Sequence, residues 1–335
     1  MKFNNTINVI DTHTFGEPTR IINGGLFKVE GTTVAEQRDY IATNFDWLRG
    51  AVIQEPRGHR DMFGAILLPP LSDDVDFGVV FMDNCNFLNM CGHATIGISM
   101  AIVETGMVEV TEPVTNLVLE TPAGKVYPRV KVQDNKVESV TFENVPAFLE
   151  KQDFKVTIPD YGEVKTDISF GGNYFAWVDA DKINLKIDKM NTKEIKRVAA
   201  LIKEEVNKNY TVQHPLNPYI NYIDIVTFFS KPTIEGATYK NVHIFSDNQA
   251  DRSPGGTGTT AMVARMIGRG ELDLNEEVVC EGFVGGTFTG VGTKRVELGN
   301  KDGIITEITG KAFISGFQNI FIDPDDPFKY GFIVE

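Results

Sequence analysis

Apolar residues recur along this chain mostly at every second position or in short unbroken runs, over lengths that suit extended backbone. INVIDTHTF, AVIQE, DFGVVFM, NLVLET and KVESVTFENV show this in the first half, and KTDISF, FAWVDA, VHIFS and GIITEITG repeat it in the second. Each predicts a strand. Three segments carry helical spacing instead. TIGISMAIVETG follows Gly92-His93, TTAMVARMIGRG follows Gly256, and both run out at a glycine, a frequent helix stop. TKEIKRVAALIKEEVNKN sets Ile195, Val198, Leu201, Ile202 and Val206 along one face with charges opposite, which predicts an amphipathic surface helix whose charged side is simply solvated. The class implied is β-rich α/β.

A chain of 335 residues accommodates two domains, each with its own core. Internal similarity points the same way. Asp11 in NVIDTHTFGEP pairs with Asp167 in VKTDISFGGNY, Cys91 in NMCGHATIG with Gly255 in DRSPGGTGT, and Gly124 in TPAGKVYPRV with Gly286 in VGGTFTGVGT. The separations are all about 160 residues, the mark of an old duplication. They predict two pseudo-symmetric domains, 1–153 carrying Cys91 and 154–335 carrying Gly255, with the last strands free to return to the first domain. The two glycine-preceded helix starts are expected to be equivalent and to face each other across a cleft.

Composition narrows the partners. The hydrophobic fraction of 42% and charged fraction of 23% are those of a globular chain. No apolar run reaches the eighteen or so residues of a membrane helix, and MKFNNTINVID lacks the features of a secretory signal, so a cytoplasmic location is expected. A formal charge of −14 with no dense basic cluster disfavours nucleic acid and anionic membranes. A small anionic substrate remains compatible, because backbone N–H groups at a helix start bind a carboxylate locally. Cys85, Cys91 and Cys280 are too few for a disulfide framework and are expected to be reduced.

A cysteine at a helix start lies at the positive end of the helix dipole, which favours its thiolate. Cys91 is then a candidate base. The amides of Gly92, His93, Gly256 and Thr257 are candidate carboxylate ligands, and a carboxylate so held fixes the adjoining Cα for proton removal, with the enolate charge stabilised by the same donors.

The segments HTFGEPTRI, EPRGHRDMFGA, NMCGHATIG, DISFGGNYFA, DRSPGGTGT and DPFKYGFI together resemble the proline racemase family, in order and over essentially the whole chain, and look closest to its clostridial members. The resemblance implies two domains of the diaminopimelate-epimerase type, each a β-barrel-like sheet around a central helix, with no cofactor, no metal and a homodimer. It implies further that Phe63 packs on the ring of an imino acid, proline or hydroxyproline, that His93 and Asp251 contact the ring nitrogen, and that Gly92, His93, Gly256 and Thr257 receive the carboxylate. In racemases and hydroxyproline epimerases of this family both MCGH and the DRSP segment supply a cysteine, one on each face of Cα. This chain keeps Cys91 and carries Gly255 in the second place. FSDNQA, with Asp247 and Asn248, also departs from the glycine-containing stretch usual before DRSP.

Glycine has no side chain to return a proton, so an efficient two-base racemase is disfavoured. By the same resemblance, members whose second cysteine is replaced, typically by threonine, are trans-3-hydroxy-L-proline dehydratases, which need one base only; Gly255 differs from that threonine, so help for the leaving hydroxyl has to come from water, Asp251 or His93. That reaction is the expectation. Racemisation or epimerisation with water in the thiol's place is the alternative, and a silent amino-acid-binding protein is a third. Other chemistries fit less well. Cys85, Cys91 and His93 have the wrong spacing for zinc. A Cys91–His93 hydrolase is disfavoured because residues two apart on a helix do not face each other. The glycine runs lack the lysine of a phosphate loop. Cys85 and Cys280 read as small hydrophobes, and His13, His59, His214 and His243 as structural hydrogen-bonders.

Overall fold

The computed structural model describes residues 5–26, 28–218, 220–245 and 248–334. The chain divides into two compact units, Met1–Phe142 with Lys311–Glu335, and Glu143–Gly310. The division falls before residue 153 because the long strand that contains it already belongs to the second unit's sheet.

The first unit contains β1 (Asn5–Thr14), β2 (Glu17–Gly24), α1 (Val34–Asn44), α2 (Asp46–Ile53), β3 (Phe63–Leu68), β4 (Phe77–Met82), β5 (Phe87–Leu88), α3 (Gly92–Glu104), β6 (Val114–Asn116), β7 (Leu119–Thr121), β8 (Gly124–Val126), β9 (Arg129–Gln133) and β10 (Lys136–Glu143). It is completed by β20 (Phe313–Ile322), and its main sheet runs in the order β20-β1-β2-β3-β4-β7-β8. The β2/β3 and β4/β7 pairs are parallel, and β6, β9 and β10 form an antiparallel ribbon. The sheet wraps α3, which contacts β1, β2, β3, β9 and β20. Every residue from Gly92 to Val103 is buried, His93, Thr95 and Ser99 among them, so this largely apolar helix is enclosed on all sides. Gly97 permits this closeness, since a Cβ there would lie 2.8 Å from Thr12 Oγ1.

The second unit holds β11 (Phe148–Ile158), β12 (Gly162–Phe170), β13 (Tyr174–Asp179), α4 (Thr192–Asn209), β14 (Ile223–Ser230), β15 (Tyr239–Phe245), β16 (Gln249–Ala250), α5 (Gly256–Arg269), β17 (Glu277–Glu281), β18 (Thr287–Leu298) and β19 (Lys301–Gly310). Its sheet runs β11-β12-β13-β14-β15-β17-β18-β19 and surrounds α5, which packs on β11, β12, β13, β18 and β19. One buried hydrogen-bond chain ties sheet to helix: Trp177 Nε1 donates to Ser169 Oγ at 2.7 Å, and that hydroxyl donates to the Ala261 carbonyl at 2.9 Å. Ser169→Ala strands the indole N–H, and we expect a loss of about 1–3 kcal/mol in urea unfolding; an unchanged midpoint would mean that the chain carries no net stability.

α4 has the predicted face, with Ile195, Val198, Ile202 and Val206 buried and Leu201 partly so. Two helices escaped the periodicity reading. AVIQE is not a strand: its first three residues end α2, because Leu48, Ala51, Val52 and Ile53 make a compact apolar face only when Asp46 and Trp47 open a helix before them. Short apolar runs do not distinguish the two states. α1 had a legible signal in Thr33-x-x-Glu36, where Thr33 Oγ1 caps the Glu36 amide at 3.1 Å and the Glu36 carboxylate accepts from Thr32. NLVLET is broken into β6 and β7 by Asp76, whose carboxylate accepts the Val118 amide at 2.7 Å.

Glu281 on β17 supplies a pH dependence. Burial alone raises a carboxyl's pKa, but here Lys240, Thr233 and the Thr233 and Ile234 amides bond the anion and bring it down to about 2. Depression in the folded state means stabilisation that is present above the unfolded value of about 4.3 and lost as pH falls from there toward about 2. The acid limb of the stability profile is therefore expected to flatten in Glu281→Gln; an identical limb in the variant would rule this carboxylate out as its source.

Candidate active site

Cys91 is the N-cap of α3, with extended backbone at φ −144° and ψ 118°. The positive end of the helix therefore falls at its thiol, an environment in which a thiolate is stabilised. Its sulfur lies 3.4 Å from His93 Nδ1 and 3.7 Å from Nε2. This corrects the expectation that these two side chains do not meet: the helical rule fails because Cys91 itself is not helical. Thr95 fixes the Cys91 carbonyl with both its amide, at 3.0 Å, and its hydroxyl, at 2.8 Å. The Thr14 hydroxyl donates to the His93 carbonyl at 2.8 Å. Phe63, at the start of β3, meets the His93 ring edge to face with centroids 4.6 Å apart. Cys91, His93 and Phe63 are thus gathered at the head of α3, at 7%, 5% and 5% exposure.

The second unit gathers Asp251, Gly255, Gly256 and Thr257 at the head of α5. The Asp251 carboxylate accepts the Ser253 amide at 2.7 Å, and Ser253 Oγ accepts the Gly255 amide at 3.1 Å. The Gly255 carbonyl takes the Thr259 amide and hydroxyl at 2.8 and 2.7 Å, the same arrangement as Thr95 on Cys91. Gly256 and Thr257 open the first turn, where helical geometry provides no acceptor for an N–H. Unlike Cys91, Gly255 has a positive φ of 76°, which glycine adopts without strain.

His243, on β15, which the sequence marks only as a structural hydrogen-bonder, lies against this helix head. Its Nδ1 is 2.6 Å from Thr227 Oγ1, and its Nε2 is 2.9 Å from the Pro254 carbonyl and 3.1 Å from Asn241 Nδ2. Burial pushes its pKa below the ordinary value, against the pull of Asp251 and the Pro254 carbonyl. A neutral ring that donates from Nε2 to Pro254 and accepts at Nδ1 from Thr227 satisfies both contacts. Asn241 and His243 are uncharged polar residues two apart on one face of β15, between the apolar Tyr239, Val242 and Ile244, and that alternation is the signal the sequence offers.

Cys280 is buried and its thiol is pushed up to about 12 by burial, consistent with a small hydrophobe. Cys85 is not: it is exposed in a turn after β4, where the Asp83 carboxylate accepts the amides of Cys85 and Asn86 at 2.7 Å each. Asn248 has a positive φ of 55°, while Asp247 lies outside the described residues.

Comparison with known proteins decides the lineage. Residues 9–333 match the proline racemase family. The whole chain is 44% identical to the whole of a proline racemase from Clostridioides difficile. The chain belongs to the proline racemase family. Among relatives of other activity in that family, a trans-3-hydroxy-L-proline dehydratase from Bacillus thuringiensis subsp. konkukian is 40% identical, with all of both chains covered. A hydroxyproline epimerase from Agrobacterium vitis, solved with trans-4-hydroxy-L-proline bound, superposes with a TM-score of 0.89 at 29% identity over 100% of this chain and 97% of that one. The expected fold, two mixed-sheet units each around a central helix, is that of the proline racemase family. Among the described residues no helix is long and apolar enough to cross a membrane.

Proposed function

We propose that this proline racemase family enzyme uses Cys91 as its single thiolate base on a proline-type imino acid, and that its reaction is dehydration of trans-3-hydroxy-L-proline. The observation that carries this reading is Gly255, which offers no side chain for a second proton transfer. The substrate carboxylate is received by the N–H groups of Gly92, His93, Gly256 and Thr257, where two helix starts favour an anion. His93 and Asp251 contact the ring nitrogen, and Phe63 covers the ring. Cys91 takes the Cα proton; the electron pair left on Cα forms the Cα–Cβ double bond as the bond from Cβ to its hydroxyl breaks, and the hydroxyl leaves as water with a proton from Asp251, His93 or solvent. The resulting enamine tautomerises to pyrroline-2-carboxylate. No cofactor enters. By the same resemblance the working form is a homodimer.

The identity of 44% to a proline racemase favours a second reading, in which water replaces the missing thiol and the product is an epimer. Proton NMR in D2O with trans-3-hydroxy-L-proline, L-proline and trans-4-hydroxy-L-proline, each alone, separates the two. Loss of the 3-hydroxyproline signals with appearance of pyrroline-2-carboxylate is expected. Deuterium entry or epimer formation on proline or 4-hydroxyproline without elimination would sink the dehydratase, and no change in any tube would leave only a binding protein.

A further inference from the structure

We infer that His243 bars any side chain from position 255, so that single-thiol chemistry is built into β15 as well as into the missing cysteine. A Cβ placed on Gly255 would lie 2.4 Å from Nε2 and 2.5 Å from Cδ2 of His243, closer than unbonded heavy atoms approach. The imidazole has little room to withdraw. Thr227 and Pro254 hold its two nitrogens, and Phe175 and Trp177 meet it edge to face with centroids 5.6 and 6.0 Å away. It is 2% exposed, and it also lies beneath Gly258, where a Cβ would come within 2.2 Å of Nε2.

The backbone gives a second bar of the same origin. His243 Nε2 and Asn241 Nδ2 both bond the Pro254 carbonyl, at 2.9 and 3.0 Å, and so hold the peptide that leads into Gly255. At the φ of 76° that follows, an L-residue is strained even where space is open. His243 is accordingly a positioning residue. Its Nε2 proton is spent on Pro254 rather than offered to substrate, and its effect is to set the helix head and to exclude a second acid from it. The functional half of this inference rests on the reading of Cys91 as a base; the steric half does not.

The test is a double-substitution cycle of Gly255→Cys, His243→Ala and both together, with thermal midpoint read first. Gly255→Cys alone is expected to lower the midpoint by roughly 5 °C or more, and the double variant to regain at least half of what the two single losses sum to. His243→Val, which suits a strand, replaces the alanine variant if that one does not fold. Additive losses, or a Gly255→Cys variant as stable as the parent, overturn the inference. Proline racemisation is read second: it is expected at least about tenfold faster in the double variant than in either single one, because only there can a second thiol take a relaxed backbone. Coupled stability without racemisation supports the steric pairing and counts instead against the reading of the site.

Discussion

Cys91→Ser is expected to lower Cα-proton exchange by at least about 10³-fold, because a serine hydroxyl is a far weaker base at neutral pH and general-base groups contribute about 10²–10⁴-fold. The loss should come without damage to the fold. Cys91 makes no side-chain capping bond to α3, and serine is among the best N-cap residues, so the thermal midpoint of the variant should hold or rise. Stopped exchange with an unchanged midpoint assigns the chemistry to the sulfur. Exchange persisting in D2O at more than about a tenth of the parent rate would remove Cys91 from the mechanism altogether.

Asp167→Ala is expected to cost about 3–5 kcal/mol, since removing one member of a buried ion pair leaves the other desolvated and unpaired. Arg265 Nε reaches the carboxylate at 2.7 Å and Arg269 Nη1 at 3.0 Å, with Asp167 and Arg265 side chains 7% and 10% exposed. Both arginines belong to α5, so the same substitution loosens the helix whose first turn carries Gly256 and Thr257. Asp167→Asn, which keeps an acceptor for one arginine, should lose less. Urea unfolding measures both. A loss under about 1 kcal/mol in the alanine variant would mean that water or Glu271 takes over the arginines and that the pair adds nothing net.

Asp167 also illustrates what the sequence could convey. Its match to Asp11 was visible as spacing, and both prove to be buried carboxylates on sheet strands that hold arginines, Asp11 with Arg20 at 2.7 and 2.8 Å. Which arginine each would hold was not legible, because Arg20 lies on the adjacent strand and Arg265 on a helix 98 residues away. The strands with clean alternation and the three glycine- or charge-marked helices were readable because one face of each is buried and period follows from that. α2 was not, since eight residues with five buried leave little periodicity to detect. The Cys91–His93 contact was hidden by a rule that holds inside helices and not at their caps. His243 was hidden differently: its importance lies in the space it fills beside a glycine, and an absent side chain leaves no pattern.

The return of the chain's end to the first unit has a kinetic meaning. β1 takes β20 as its outer neighbour, with Asn5 opposite Ile322, whereas the second unit is continuous from Glu143 to Gly310. During synthesis the second unit can therefore close while β20 is still unmade. One edge of β1 meanwhile keeps unpaired N–H and C=O groups, open to any other extended segment, until β20 has been made and docks. The slow step in making this protein is expected to be the docking of β20, a loop closure of roughly three hundred residues for which the finished second unit acts as a compact spacer rather than a random coil.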